Sequence, residues 1–140
     1  MPTISPYLIF NGNAEEAFNF YKSIFGGEFL AVQRFKDIPD GDKLSPGQKE
    51  KLMHISLPIG KGNILMAGDA LESMGPVSFG NNFHLAVEAD SKEQAEKIFK
   101  ELSAGAKIEL PIADAFWGAY FGMLTDKFGI EWMVSYTKPK

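Results

Sequence analysis

The sequence predicts an α+β fold built from two tandem βαβββ modules, and two observations carry that prediction. The order strand, helix cap, amphipathic helix and glycine stop occurs twice, and the two copies align at a fixed shift of 78 positions. Under that shift Asn13 falls on Ser91, Glu16 on Gln94, Ala17 on Ala95, Tyr21 on Phe99, Ile24 on Leu102 and Gly27 on Gly105. A second shift, of 66, lays Gly60-Lys61-Gly62-Asn63-Ile64 on Asp126-Lys127-Phe128-Gly129-Ile130, so the closing hairpins also correspond. The same element order with matched boundaries is the signature of an internal repeat.

Each element follows from its residues. Residues 4–10 (ISPYLIF) form a short apolar run closed by Asn11-Gly12-Asn13, which reads as a first strand. Asn13 stands three residues before Glu16, the spacing of a capping box. Ala14, Ala17, Phe18, Tyr21, Ile24 and Phe25 then recur at helical steps until Gly26-Gly27. Residues 28–35 alternate loosely as a second strand, and 36–51, rich in charge, Pro and Gly, read as a long surface loop. Residues 52–59 form a third strand, 60–63 a hairpin turn, and a fourth strand begins at Ile64.

Residues 68–81 carry turn residues without a sustained period, and the connector is placed at 71–81. That leaves 1–70 and 82–140 as two modules of one structural domain. The second copy begins with a strand at 82–89, after which Ser91 and Gln94 repeat the capping spacing and Ala95, Ile98, Phe99 and Leu102 repeat the stripe. Strands at 106–111, 116–125 and 130–136 complete it. One helix covers only one face of a small sheet, so a single module leaves an apolar face bare. Two modules facing each other would bury those faces and enclose a cavity for a small molecule.

Composition narrows the function classes. With 45% hydrophobic and 23% charged residues, the 140-residue chain has enough apolar surface for a sizeable core. Its net charge of -4 speaks against nucleic-acid and anionic-membrane partners. The absence of cysteine removes disulfides, thiolate nucleophiles and cysteine zinc sites, and fits a cytoplasmic protein. No apolar run approaches the length of a membrane helix, and no GxGxxG, P-loop or GxSxG pattern is present.

The strings PYLIFNGNAEEAFNFYKSIFGG, LMHISLPIGKGNILMAGD, FHLAVEAD and FWGAYFGMLTDKFGIEWM resemble the PhnB-like branch of the glyoxalase/bleomycin-resistance superfamily, the vicinal oxygen chelate proteins. The resemblance spans nearly the whole chain. It implies a cup-shaped curved sheet around a pocket, commonly in a homodimer, and in the metal-dependent members one ligand from the first and last strands of each module. Carried onto this chain, those positions hold His84 and Glu131 in the second module, but Pro6 and Leu65 in the first. A divalent metal is therefore a candidate cofactor with half of the usual ligand set, and His54 with Asp69 are candidates to complete it.

The remaining candidates lie in 114–136, where Glu131 is a lone acid between apolar neighbours. Facing a cavity it could act as a general base or metal ligand; facing outward it would be a solvated acid on an alternating strand. Each histidine could likewise simply hydrogen-bond a strand neighbour. Trp117, Tyr120 and Trp132, with Phe121, could line a pocket and stack on a flat ligand, or pack as core. Gly118 and Gly122 mark a bend or a close backbone approach. Three functions follow as expectations: a PhnB-like protein with a small-molecule pocket and an unassigned reaction, a divalent-metal-dependent lyase or dioxygenase, and a drug-sequestering protein of the bleomycin-resistance type.

Overall fold

The computed structural model describes residues 2–60 and 62–139; Lys61 of the expected hairpin turn lies outside them, as do Met1 and Lys140. The chain divides into two compact units, Met1–Ser78 and Phe79–Lys140. Among the described residues no helix is long and apolar enough to cross a membrane.

The first unit runs β1 (Tyr7–Phe10), α1 (Ala14–Phe25), β2 (Ala31–Arg34), β3 (Leu52–Ile59) and β4 (Asn63–Asp69), with a short α2 (Pro46–Lys49) and two 3-10 turns between β2 and β3. Its sheet has the order β1-β4-β3-β2, with β1 parallel to β4 and the other pairs antiparallel. Leu8 and Phe10 of β1, Ile55 and Leu57 of β3 and Ala67 of β4 are buried, as are Ala14, Ala17, Phe18 and Tyr21 of α1. Phe18 meets Phe10 edge to face at 6.4 Å and Tyr21 at 5.6 Å. Each buried Leu, Ile or Phe side chain here contributes about 1.5–3 kcal/mol.

The second unit runs β5 (Leu85–Glu88), α3 (Lys92–Leu102), β6 (Lys107–Asp114), β7 (Ala119–Thr125) and β8 (Glu131–Thr137). Its sheet order, β5-β8-β7-β6, repeats that of the first unit. The pairing registers reproduce both shifts: Tyr7 pairs with Met66 in one unit and Leu85 with Trp132 in the other, 78 and 66 positions on. The α3 stripe Ala95, Ile98, Phe99 and Leu102 is buried, together with Leu124, Trp132 and Val134 of the sheet.

The two helix starts are held differently. Ser91 Oγ accepts from the Gln94 N–H at 3.0 Å, and the Gln94 side chain accepts from the Asp90 N–H. The equivalent expectation for Asn13 fails, because its side chain makes no capping bond. Asp69, at the end of β4, takes over: Oδ1 accepts from the Gly12 and Ala14 N–H groups and Oδ2 from the Leu52 N–H. A carboxylate there also suits the positive end of the helix.

The other differences are local. The first strand starts at Tyr7, not residue 4, since proline cannot donate to a ladder and only the Pro6 carbonyl pairs, with the Met66 N–H. The second strand spans only Ala31–Arg34 and carries a register irregularity at Gln33/Arg34. The close approach expected at Gly122 is real: a β-carbon there would sit 2.6 Å from the Phe99 ring. Gly118 has φ +95, so it forms the bend.

Candidate functional site

Strand alternation sorts the second unit's side chains. Trp132 and Val134 pair with Leu124 and Gly122 and turn towards α3. Glu131, Met133 and Ser135 pair with Thr125, Met123 and Phe121, so these six occupy the opposite face. His84, one residue before β5, falls on that same opposite face, because Leu85 pairs with Trp132.

The structure brings the two resemblance-derived residues together. His84 Nδ1 lies 3.8 Å from Glu131 Oε2, and the Glu131 side chain is only 9% exposed. A third group joins them: Glu109 of β6 places Oε2 3.6 Å from His84 Nε2. One donor atom from each of the three residues fits within 4.8 Å of the others.

Both separations exceed hydrogen-bonding reach. Accordingly His84 Nε2 and Glu131 Oε2 are buried and, among the described residues, have no hydrogen-bond partner. Buried polar atoms are normally paired, because desolvation without a partner costs about 1–3 kcal/mol. His84 stands between the two carboxylates, Nδ1 towards Glu131 and Nε2 towards Glu109, and a cation or a hydrogen-bonding ligand is the kind of partner that would satisfy this group. One imidazole and two carboxylates supply three protein donors with positions left open, the count of catalytic metal centres. The mixed nitrogen and oxygen set fits Zn, Mn, Fe, Co or Ni.

Glu109 is held in turn. Thr125 Oγ1 donates to its Oε1 at 2.7 Å, which leaves Oε2 turned to His84. Sequence reasoning missed Glu109, although the signal used for Glu131 is present again. It is an acid between two apolar residues, Ile108 and Leu110, inside a strand.

The other candidates separate. Trp117 is 56% exposed at the β6–β7 turn and contacts Phe121 edge to face at 5.2 Å. Tyr120 alternates to the α3 side, where its hydroxyl donates to Glu96 at 2.9 Å and Lys92 lies over its ring. That hydrogen bond, with burial as the larger cause, pushes the Tyr120 phenol above its ordinary value. Trp132 is 2% exposed and its indole N–H donates to Asp126 at 2.8 Å, so it lies in the core under α3. His54 belongs to the first unit, where its ring lies 5.6 Å from Tyr7, and Asp69 is occupied as the α1 cap.

Comparison with known proteins gives a consistent relationship. Residues 3–134 match the family model of the Glyoxalase/Bleomycin resistance protein/Dioxygenase superfamily. Protein YjdN of Escherichia coli is 32% identical, over 96% of this chain and 95% of its own. The crystal structure of protein PA1353 from Pseudomonas aeruginosa has a TM-score of 0.87 and 37% identity, covering 99% of this chain and 100% of that one. The putative 3-demethylubiquinone-9 3-methyltransferase, PhnB protein, from Bacillus cereus has a TM-score of 0.79 and 27% identity, covering 97% and 100%.

Proposed function

The chain belongs to the Glyoxalase/Bleomycin resistance protein/Dioxygenase superfamily and to its PhnB-like branch, and from that premise we propose that it binds a divalent cation and acts on a small molecule with adjacent oxygen atoms. The observation supporting this is the pair of buried atoms His84 Nε2 and Glu131 Oε2, which have no hydrogen-bond partner among the described residues, beside Glu109. His84, Glu109 and Glu131 hold the cation. When bound, such an ion acts as a Lewis acid towards substrate oxygens. Glu131, the most buried of the three, is the carboxylate placed to take a proton from a molecule seated there. Thr125 orients Glu109.

This reading makes the protein a vicinal oxygen chelate lyase or dioxygenase, working in the cytoplasm as a homodimer. The methyltransferase description attached to the Bacillus cereus protein is not carried over, because the sequence has no glycine-rich cofactor loop after a strand. A thermal-shift series with Mn, Fe, Co, Ni and Zn tests the proposal. Stabilisation of the native chain that disappears in Glu131→Ala supports it; no metal-dependent stabilisation of the native chain overturns it. Drug sequestration without chemistry is favoured by the exposed Trp117, and stabilisation by cationic aromatic antibiotics but by no metal would select it.

A further inference from the structure

The face that carries the three donors also carries an apolar track leading away from them. From the Thr125/Glu131 pair the ladder passes through Met123/Met133 to Phe121/Ser135. Phe121 lies four residue steps along the strand from Thr125, a distance of about 13 Å. Trp117 meets the Phe121 ring at its far end. The turn presenting Trp117 is fixed, since the Ala115 N–H donates to the Ala119 carbonyl and the Gly118 N–H to the Ala115 carbonyl. A 56% exposed tryptophan held by a hydrogen-bonded turn is a ready stacking surface.

Resting on the cation-site reading, we propose that the substrate class is elongated and two-ended: a chelating oxygen head at His84, Glu109 and Glu131, and an aromatic end that reaches Trp117 across Met123 and Met133. The two methionines suit this role because the thioether is polarisable and adapts to irregular apolar shapes. A molecule consisting of the head alone leaves the track unused. A molecule with a ring on a short spacer does not span the track.

Three hydroxamates serve as probes with the full-length, cobalt-loaded protein: acetohydroxamate, a short-spacer phenylalkyl hydroxamate and a long-spacer one. Cobalt binding is measured first, by calorimetry. The long-spacer compound is expected to bind about tenfold more tightly than acetohydroxamate, the gain typical of one stacked ring, and the short-spacer compound to gain little. Trp117→Ala is expected to remove that gain while leaving acetohydroxamate binding unchanged, and Trp117→Tyr to restore most of it. Equal affinities across the series, or a gain that survives Trp117→Ala, overturn the two-ended substrate while the cation site stands. Failure of cobalt to bind overturns the cation site, and the substrate class with it.

Discussion

Thr125 Oγ1 donates to one oxygen of Glu109 at 2.7 Å while the other oxygen lies 3.6 Å from His84 Nε2. The hydroxyl therefore fixes which carboxylate oxygen faces the donor cluster. Groups of this kind behind a metal ligand typically contribute 10–100-fold to metal affinity. Thr125→Val is expected to weaken cobalt binding by about tenfold, with Thr125→Ser close to the native value, by calorimetry. Equal affinity in native and Val proteins would assign the bond a purely structural role.

Asp69 is expected to matter more to stability than Asn13, the residue whose spacing suggests the cap. Asp69→Ala leaves the Gly12, Ala14 and Leu52 N–H groups without their acceptor, at a cost of about 3 kcal/mol or more in urea unfolding. Asn13→Ala removes no capping bond and is expected to cost less than about 0.5 kcal/mol. The reverse order would restore Asn13 as the cap.

Gly122 lies under α3 with no room for a methyl group: its β-carbon would fall 2.6 Å from the Phe99 ring and 2.9 Å from the Ile112 backbone. Gly122→Ala is expected to destabilise the chain by about 1–3 kcal/mol, read from the shift of the unfolding midpoint. A neutral effect would show that α3 can retreat from the sheet.

Tyr7 supplies a test of pH dependence. Burial raises its phenol above the ordinary value of 10.0, and its hydroxyl donates to the Met53 carbonyl at 3.0 Å. Ionisation removes that proton and leaves a phenolate against a carbonyl oxygen. The stabilisation is thus complete below the unfolded-state value and is lost as pH rises through the raised, folded-state value. The melting temperature of Tyr7→Phe is expected to fall less steeply above pH about 10 than that of the native chain. Parallel alkaline limbs would contradict this.

The two long helices were legible because their apolar stripes obey one period, and in α3 the stripe Ala95, Ile98, Phe99 and Leu102 is the buried set. In α1 the buried set stops at Tyr21, short of Ile24 and Phe25, and the short α2 lies within the span read as a loop. The duplication was equally legible, since boundaries recur at fixed offsets and the pairing registers keep them. The long-range bonds were not. Asp69 reaches α1 from 55 positions away, and no local spacing rule reports such a contact. Among the site residues, His84 and Glu131 could be named from the resemblance, whereas Glu109, an acid between Ile108 and Leu110 with the same local signal as Glu131, stands at no position the resemblance singles out. Only the fold that sets its side chain beside Thr125 and His84 reveals its part. Tyr120 and Trp132 illustrate the converse: aromatic content drew attention to them, but strand alternation turns both to the α3 side.

His84, Glu109 and Glu131 are proposed to bind one divalent cation together. Calorimetric titration of cobalt into native protein and into His84→Ala, Glu109→Gln, Glu131→Ala and His54→Ala tests it most directly. One equivalent per native chain is expected, with affinity lowered about tenfold or more by each of the first three substitutions and unchanged by His54→Ala. Absence of cobalt binding by the native chain, or binding that survives Glu131→Ala and is lost in His54→Ala, would contradict it.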